Sequence, residues 1–410
     1  MDTDADSRTD PAGAHYAPAA ISPAVAALVA SLGLASAMGI GRFAFTPLLP
    51  LMQHSFDLSL RQGAWLASAN YIGYFLGALG SYVFDPEPGR SARYSLLAIA
   101  VLTIATGLTH SFPAWALLRL LTGVASAYAL VGISSWVLAV LARSASRALY
   151  GWVFAGVGAG MLLAGLVGLA AGVWRQSPDR AWLALGACAL AVCVYAWGHL
   201  GTSVQARAPA RADRGGALGL HGWILVACYG VFGFGYIIPA TFLPAFARQL
   251  IDDPAVFGWV WPLFGLVSAL FAVVCARLFG HLRPRVVWAC GHVVIAAGVL
   301  APAVAPGLAA VVFSTVCVGG TFMIVVMVAT REAHQVAGAN SARLIAAMTT
   351  VFAIGQLLGP LAIPAGPLST AVFYPSVGAA CLMLATAVAL LRRDRPSADK
   401  ESHEYSLRSR

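Results

Sequence analysis

Apolar runs, most of them about twenty residues long, follow one another from residue 23 to residue 391 with barely a charge inside any of them. In lipid every backbone N–H and C=O must be satisfied within the protein, so only helices and closed barrels can span. Barrel strands need only about ten residues, and these runs are much longer. Read between their bounding charges, prolines and glycines, they predict helices over 23–53, 62–84, 93–110, 113–142, 148–173, 181–200, 221–248, 255–280, 286–304, 307–330, 342–365 and 368–391. The chain is therefore expected to be an all-α polytopic membrane protein with twelve transmembrane helices. Composition agrees: 60% of residues are hydrophobic and 10% charged, against about 25% charged in a soluble domain. Such a chain cannot clothe itself in polar side chains, so its outer surface faces the lipid bilayer. The first predicted helix is long for one span, and tilt or a bend at Pro47 would accommodate it.

The charges set the orientation. With the N-terminus inside, Arg8, Arg90, Arg93, Arg143, Arg147, Arg207, Arg211, Arg214, Arg277, Arg283, Arg285, Arg331 and Arg343 fall on the cytoplasmic side, as do Arg392, Arg393, Arg395, Lys400, Arg408 and Arg410. The outer connections hold Arg61, Arg175, Arg180 and Arg248. This positive-inside bias predicts a multi-pass membrane protein with both termini in the cytoplasm. The net charge of +9 is spread thinly between apolar runs rather than gathered on a basic face, so nucleic acid is not an expected partner. The seven cysteines all lie inside apolar runs without C-x-x-C spacing, and their odd number excludes a complete disulfide framework. No metal-ligand spacing or G-x-x-x-x-G-K-[ST] stretch occurs, so neither a metal, nor a cofactor, nor ATP-driven transport is expected.

Residues 1–20, polar and acidic, read as a disordered cytoplasmic tail rather than a cleavable signal, and 392–410 as a second tail. The polar stretch 201–220 is a cytoplasmic central loop dividing two six-helix bundles, 21–200 and 221–391. The halves repeat. Gly39-Ile-Gly41 precedes Leu49-Pro50 by seven residues, and Gly233-Phe-Gly235 precedes Leu243-Pro244 by seven. The same offset carries Trp65 onto Trp259, and Val153-Phe-Ala155 recurs as Val351-Phe-Ala353. Two sixes in one orientation form the parallel repeat of a transporter whose halves are related about the membrane normal.

With these features the sequence resembles the major facilitator superfamily. Three stretches are similar to its YbfB/YjiJ branch of bacterial transporters: Gly39-Ile-Gly-Arg-Phe-Ala-Phe-Thr-Pro-Leu-Leu-Pro50, Gly233-Phe-Gly-Tyr-Ile-Ile-Pro-Ala-Thr-Phe-Leu-Pro244 and Gly319-Gly-Thr-Phe-Met323. The resemblance implies a monomer of a bacterial cytoplasmic (inner) membrane that is no enzyme and moves a small molecule across that membrane. The superfamily's loop between helices two and three is only partly matched: Asp85, Gly89 and Arg90 keep its residue types at altered spacing, and would form a conformational latch. Arg119 with Gly123 is similar to the helix-four pattern of drug antiporters, but helix five lacks their Gly-Pro pair.

Arg42 is the most informative residue, an arginine deep in an apolar helix, where a charge costs roughly 2.5–3.5 kcal/mol to insert. Such a residue fits an anionic substrate group. Arg119 is the second intramembrane arginine. The repeat pairs Arg42 with Tyr236, which should line the cavity from the other half. Asn70, Tyr74 and Gln356 complete the expected substrate-binding set, although each suits helix–helix hydrogen bonding better than substrate contact. Trp259 and Trp261 read as interface anchors. None of the sixteen acidic residues sits well inside a predicted helix, and His54, His292 and His334 lie near predicted ends. A co-transported proton would thus have to use His54, Asp57 or Glu332, the last expected to pair with neighbouring Arg331. The expected function is a secondary active transporter of a small, anionic organic molecule. The alternative is a drug or metabolite efflux pump of the same type.

Overall fold

The computed structural model describes residues 21–142, 148–200, 219–250, 258–362 and 368–392. The two expected tails, most of the central loop, and Arg143 and Arg147 lie outside these residues. Among the described residues the chain runs as twelve helical stretches. The first, α1, extends over Pro23–Phe56. It is followed by α2 (Leu60–Phe84), α3 (Pro88–Thr106), α4 (Phe112–Leu141), α5 (Ala148–Val173) and α6 (Pro178–Leu200). The second set begins with α7 (Leu220–Leu250), α8 (Val260–Phe279) and α9 (Pro284–Val304). In α10, Leu308–Ser314 continues through a π-helical turn, Thr315–Gly319, into Gly320–Ala337. The last two are α11 (Ser341–Leu361) and α12 (Leu368–Leu391). Nine stretches among the described residues are long and apolar enough to cross a membrane, one of them running through α10 into α11. The two left over, α2 and α3, are the more polar ones: α2 carries Asn70, Tyr71 and Tyr74, and α3 opens with Arg90 and Arg93.

The helix ends follow local chemistry. Ser59 and Gln62 form a reciprocal capping box that opens α2. The Glu87 carboxylate accepts from the Gly89 and Arg90 amides with Pro88 in the first turn, so α3 starts five residues before the apolar run predicts. Asp57 and Asp85 end α1 and α2 in the left-handed region. The helix α10 also outlasts its apolar run, reaching Ala337 because Glu332 is paired and buried there.

Neighbour relations repeat with a shift of six helices. α1 packs on α5 as α7 packs on α11, α2 on α4 as α8 on α10, and α3 on α6 as α9 on α12. Across the divide, α5 lies along α8 and α2 along α11. Small residues permit the first of these contacts: a Cβ on Gly158 would sit 2.4 Å from the Ala269 nitrogen, and one on Gly265 2.4 Å from the Leu162 nitrogen. Large apolar side chains such as Leu76, Leu121, Val194, Leu270 and Val388 point outward, as a lipid-facing surface requires.

The face where α1 begins, here the near face, is held shut across the halves by arginine–aromatic contacts. Arg277 of α8 lies 5.8 Å from the Trp152 ring of α5, Arg331 of α10 5.0 Å from Tyr150 of α5, and Arg343 of α11 5.0 Å from Tyr82 of α2. In each, the cation comes from the second half and the ring from the first. Each contact contributes about 0.5–1 kcal/mol. Replacing Tyr82, Tyr150 and Trp152 together by Leu should therefore raise the near-face-open population by about ten- to a hundredfold. A cysteine at Val326, in a background without the native cysteines, should be labelled correspondingly faster by a membrane-impermeant maleimide offered at the near face. An unchanged labelling rate would show that the three contacts do not hold that face.

Candidate functional site

The site grows from an interruption in α1. Regular α-helix stops at Leu34, gives way to a π-helical segment over Ala35–Ile40 and four turn residues, and resumes at Phe45. The irregular stretch lies ahead of Pro47, so the bend expected at that proline is set by the preceding residues. A proline in the first turn of the resumed helix needs no amide donor there. Gly39 makes the geometry possible: a Cβ there would sit 2.4 Å from the Gly160 Cα of α5. The carbonyls freed by the interruption are taken up by α4. Ser126 donates from its Oγ to the Ala37 carbonyl at 2.8 Å. Arg119 donates from Nη1 to the Gly41 carbonyl at 3.3 Å and from Nη2 to the Arg42 carbonyl at 3.2 Å. Arg119 is 5% exposed and its guanidinium also rests 4.6 Å from the Phe45 ring. It is a backbone clamp, neither snorkelling nor facing the cavity. Asn70 of α2 in turn donates to the Arg119 carbonyl at 2.9 Å, tying α2 to α4.

So held, Arg42 projects between the halves, 2% exposed. Its Nη2 donates to Oε1 of Gln356 on α11, and Nε2 of Gln356 donates to the Tyr236 hydroxyl on α7. Three residues drawn from far-apart stretches of sequence thus form one polar chain across the divide. The Arg42 guanidinium stands over Tyr74, 3.6 Å from its ring centroid, with Tyr71 at 5.7 Å. Arg42 Nε and Nη1 and the Tyr74 hydroxyl are buried without a hydrogen-bond partner. Arg42, Tyr74, Phe43, Tyr229, Phe322 and Phe352 are among the side chains around a cavity no larger than about one water molecule. The site is closed: Phe43 reaches across to Trp261 at 6.3 Å and to Phe322 at 6.0 Å.

Other expected residues lie elsewhere. His54 and Asp57 are exposed at the far edge of α1. Gly89 packs on the end of α6, where a Cβ would sit 2.4 Å from the Leu200 carbonyl oxygen, while Asp85 ends α2 and Arg90 starts α3. Glu332 is buried, and its partner is Arg285 of α9 instead of Arg331, whose guanidinium lies over Tyr150. Adjacent residues on a helix diverge by about 100°, so residues 331 and 332 face different neighbours. Trp259 is exposed, as an interface anchor should be, but Trp261 turns inward and stacks on Phe264 at 5.6 Å. His292 is not near a surface: it is fully buried in α9. Trp288 Nε1 donates to its Nε2 at 2.8 Å, so Nδ1 carries the proton and faces Thr386 Oγ1 at 2.8 Å. Its i, i+4 spacing from Trp288 in an otherwise apolar helix is the signal that sequence reading passed over. The aromatic wall was also missed, although Phe322 lies in the Gly319–Met323 stretch and Phe352 in the repeated Val-Phe-Ala. Among the described residues no cluster of His, Cys, Asp and Glu could hold a metal ion.

Two helical halves closing on a buried site at their interface define a membrane carrier. Residues 34–390 match the model of the family described as "Uncharacterised MFS-type transporter YbfB", and the chain belongs to that family. It is thus a multi-pass membrane transporter of the major facilitator superfamily and not an enzyme. Among curated relatives it is 29% identical over 160 residues to the uncharacterized MFS-type transporter YceJ of Bacillus subtilis, a match covering 37% of this chain and 39% of that protein. In fold it is similar to the human organic anion transporter MFSD10 (TM-score 0.71, 14% identity, 90% of this chain and 100% of that one). It is also similar to the transporter FucP in its outward conformation (TM-score 0.68, 15% identity, 91% and 100%).

The clamp makes a distinct prediction. Arg119→Met leaves buried carbonyls without donors, at about 1–3 kcal/mol each, so the melting temperature of the unliganded protein should fall by several degrees, with partial recovery in Arg119→Lys. An arginine that only contacted cargo would leave the unliganded protein's melting temperature unchanged.

Proposed function

We propose that this chain is a secondary transporter of a small organic anion, held at Arg42 and delivered by alternating exposure of the site between its halves. The observation that supports this is a buried guanidinium whose polar side-chain partner is the neutral amide of Gln356, with Nε and Nη1 unpartnered. A buried cation without a counter-ion is costly, and a carboxylate would offset that cost. In the closed state the Gln356 carbonyl oxygen stands where a carboxylate oxygen of the cargo would bind. The near face carries Arg90, Arg93, Arg277, Arg283, Arg285, Arg331 and Arg343, so we assign it to the cytoplasm of a bacterial inner membrane. Of the residues considered for proton coupling, His54 and Asp57 lie away from the Arg42 site and Glu332 is engaged by Arg285. The anion gradient itself, or exchange against a second anion, drives the proposed cycle.

A substitution inside the polar chain separates this reading from general damage. Gln356→Glu places a carboxylate of nearly the same shape beside Arg42. The unliganded protein should then melt several degrees higher while uptake of the cargo by proteoliposomes disappears. Arg42→Ala should also abolish uptake, by at least about 100-fold for a lost charge-assisted pair, without the rise in melting temperature. Stabilisation absent in Gln356→Glu, or uptake that survives Arg42→Ala, would remove the anion from Arg42.

A further inference from the structure

The lining of the closed site carries more information than its charge. Tyr236 of α7 lies between Phe322 of α10 and Phe352 of α11, with ring centroids 4.5 and 5.5 Å away and planes within 20° and 9° of parallel. Tyr229 extends the group, 5.1 Å from Phe352. These rings all belong to the second half. The cation, Arg42, and the unpartnered Tyr74 hydroxyl belong to the first. The first half adds one phenyl ring, Phe43, and the rest of the lining, Met38, Leu130, Val157, Met323 and Val326, is aliphatic or thioether. One cation serves one anionic group, and a second carboxylate would be buried without a partner. Apart from the Arg42–Gln356–Tyr236 chain, a polyhydroxylated cargo would find only the hydroxyls of Tyr74 and Tyr229 along this lining.

Building on the anion reading, we propose that the cargo is a planar aromatic monocarboxylate. Its carboxylate meets Arg42 and the Tyr74 hydroxyl, and its ring enters the stack formed by Tyr236, Phe322 and Phe352. Offset or edge-on packing between rings adds favourable energy beyond buried area, so a flat ring is preferred to a saturated one of equal size and charge. Such a molecule has two unlike ends, the carboxylate held by the first half and the ring chiefly by the second, with Phe43 of the first half against Phe322, and its binding draws the halves together. In the structure the Gln356 amide and the ring stack occupy these two positions themselves.

The test uses the melting temperature of the purified full chain in detergent, titrated with benzoate, 1-naphthoate, cyclohexanecarboxylate, succinate and benzamide. Benzoate and 1-naphthoate should stabilise the protein with half-saturation about tenfold lower than cyclohexanecarboxylate, and succinate and benzamide should do little. In Arg42→Lys the aromatic acids should bind more weakly, with the preference for rings kept. In Phe322→Leu the preference should shrink while carboxylate binding persists. Equal half-saturation for benzoate and cyclohexanecarboxylate overturns the aromatic class and leaves the anion reading intact. Benzamide acting as well as benzoate overturns the anion reading, and the present proposal with it. No stabilisation by either aromatic acid also overturns the proposal, while a response to succinate alone would retain Arg42 as an anion site for a different cargo.

Discussion

A backbone carbonyl freed inside a membrane protein has no water to turn to, and the architecture around Arg42 answers that constraint. Where α1 leaves regular helical geometry, the carbonyls of Ala37, Gly41 and Arg42 need donors, and α4 supplies them from Ser126 and Arg119. These two residues stand seven apart, on one face of the helix. The interruption in turn fixes where Arg42 emerges. Asn70 anchors the Arg119 carbonyl, so α2, which contributes Tyr74, is tied into the same arrangement. Two arginines that look alike in sequence therefore do different work: one holds backbone, the other is left with unspent hydrogen-bonding capacity in the cleft.

The closed site is a set of substitutes. The Gln356 amide satisfies part of Arg42, Tyr236 satisfies the amide, and the aromatic rings stack on one another. On the proposed reading a ligand replaces each of these contacts, so closing around cargo and closing without it involve comparable interactions. A carrier that performs net transport must be able to reclose in both conditions, whereas an exchanger need reclose only when loaded.

Much of the fold was legible because lipid imposes a coarse rule: long apolar runs, charges between them, arginine on one side. Boundaries failed where a local cap or a buried pair outweighed apolarity, as Glu87 does for α3 and Glu332 for α10. The repeat made the pairing of Arg42 with Tyr236 readable, since it needs only an offset. Gln356 stood out as a polar side chain at depth, but its place between them did not, because it belongs to a helix more than a hundred residues beyond Tyr236 and no local pattern announces which face of α11 turns inward. The same limit hid the partner of Glu332 and the inward turn of Trp261. His292 was passed over for another reason: a short polar side chain in an apolar run is visible, but its satisfaction by Trp288 and Thr386 depends on α12 lying alongside.

Among the described residues no carboxylate is hydrogen-bonded to Arg42, and this has an electrical consequence on the proposed cycle. With a monoanion bound, the site is neutral, and its transit from one side to the other moves almost no charge. Empty, the site is a lone positive charge, and its reorientation crosses whatever potential falls over the closed gate, about 2.3 kcal/mol per charge for each 100 mV. Exchange of one anion for another is then indifferent to membrane voltage, while net transport is governed by it. A potential negative inside holds the empty carrier facing the cytoplasm.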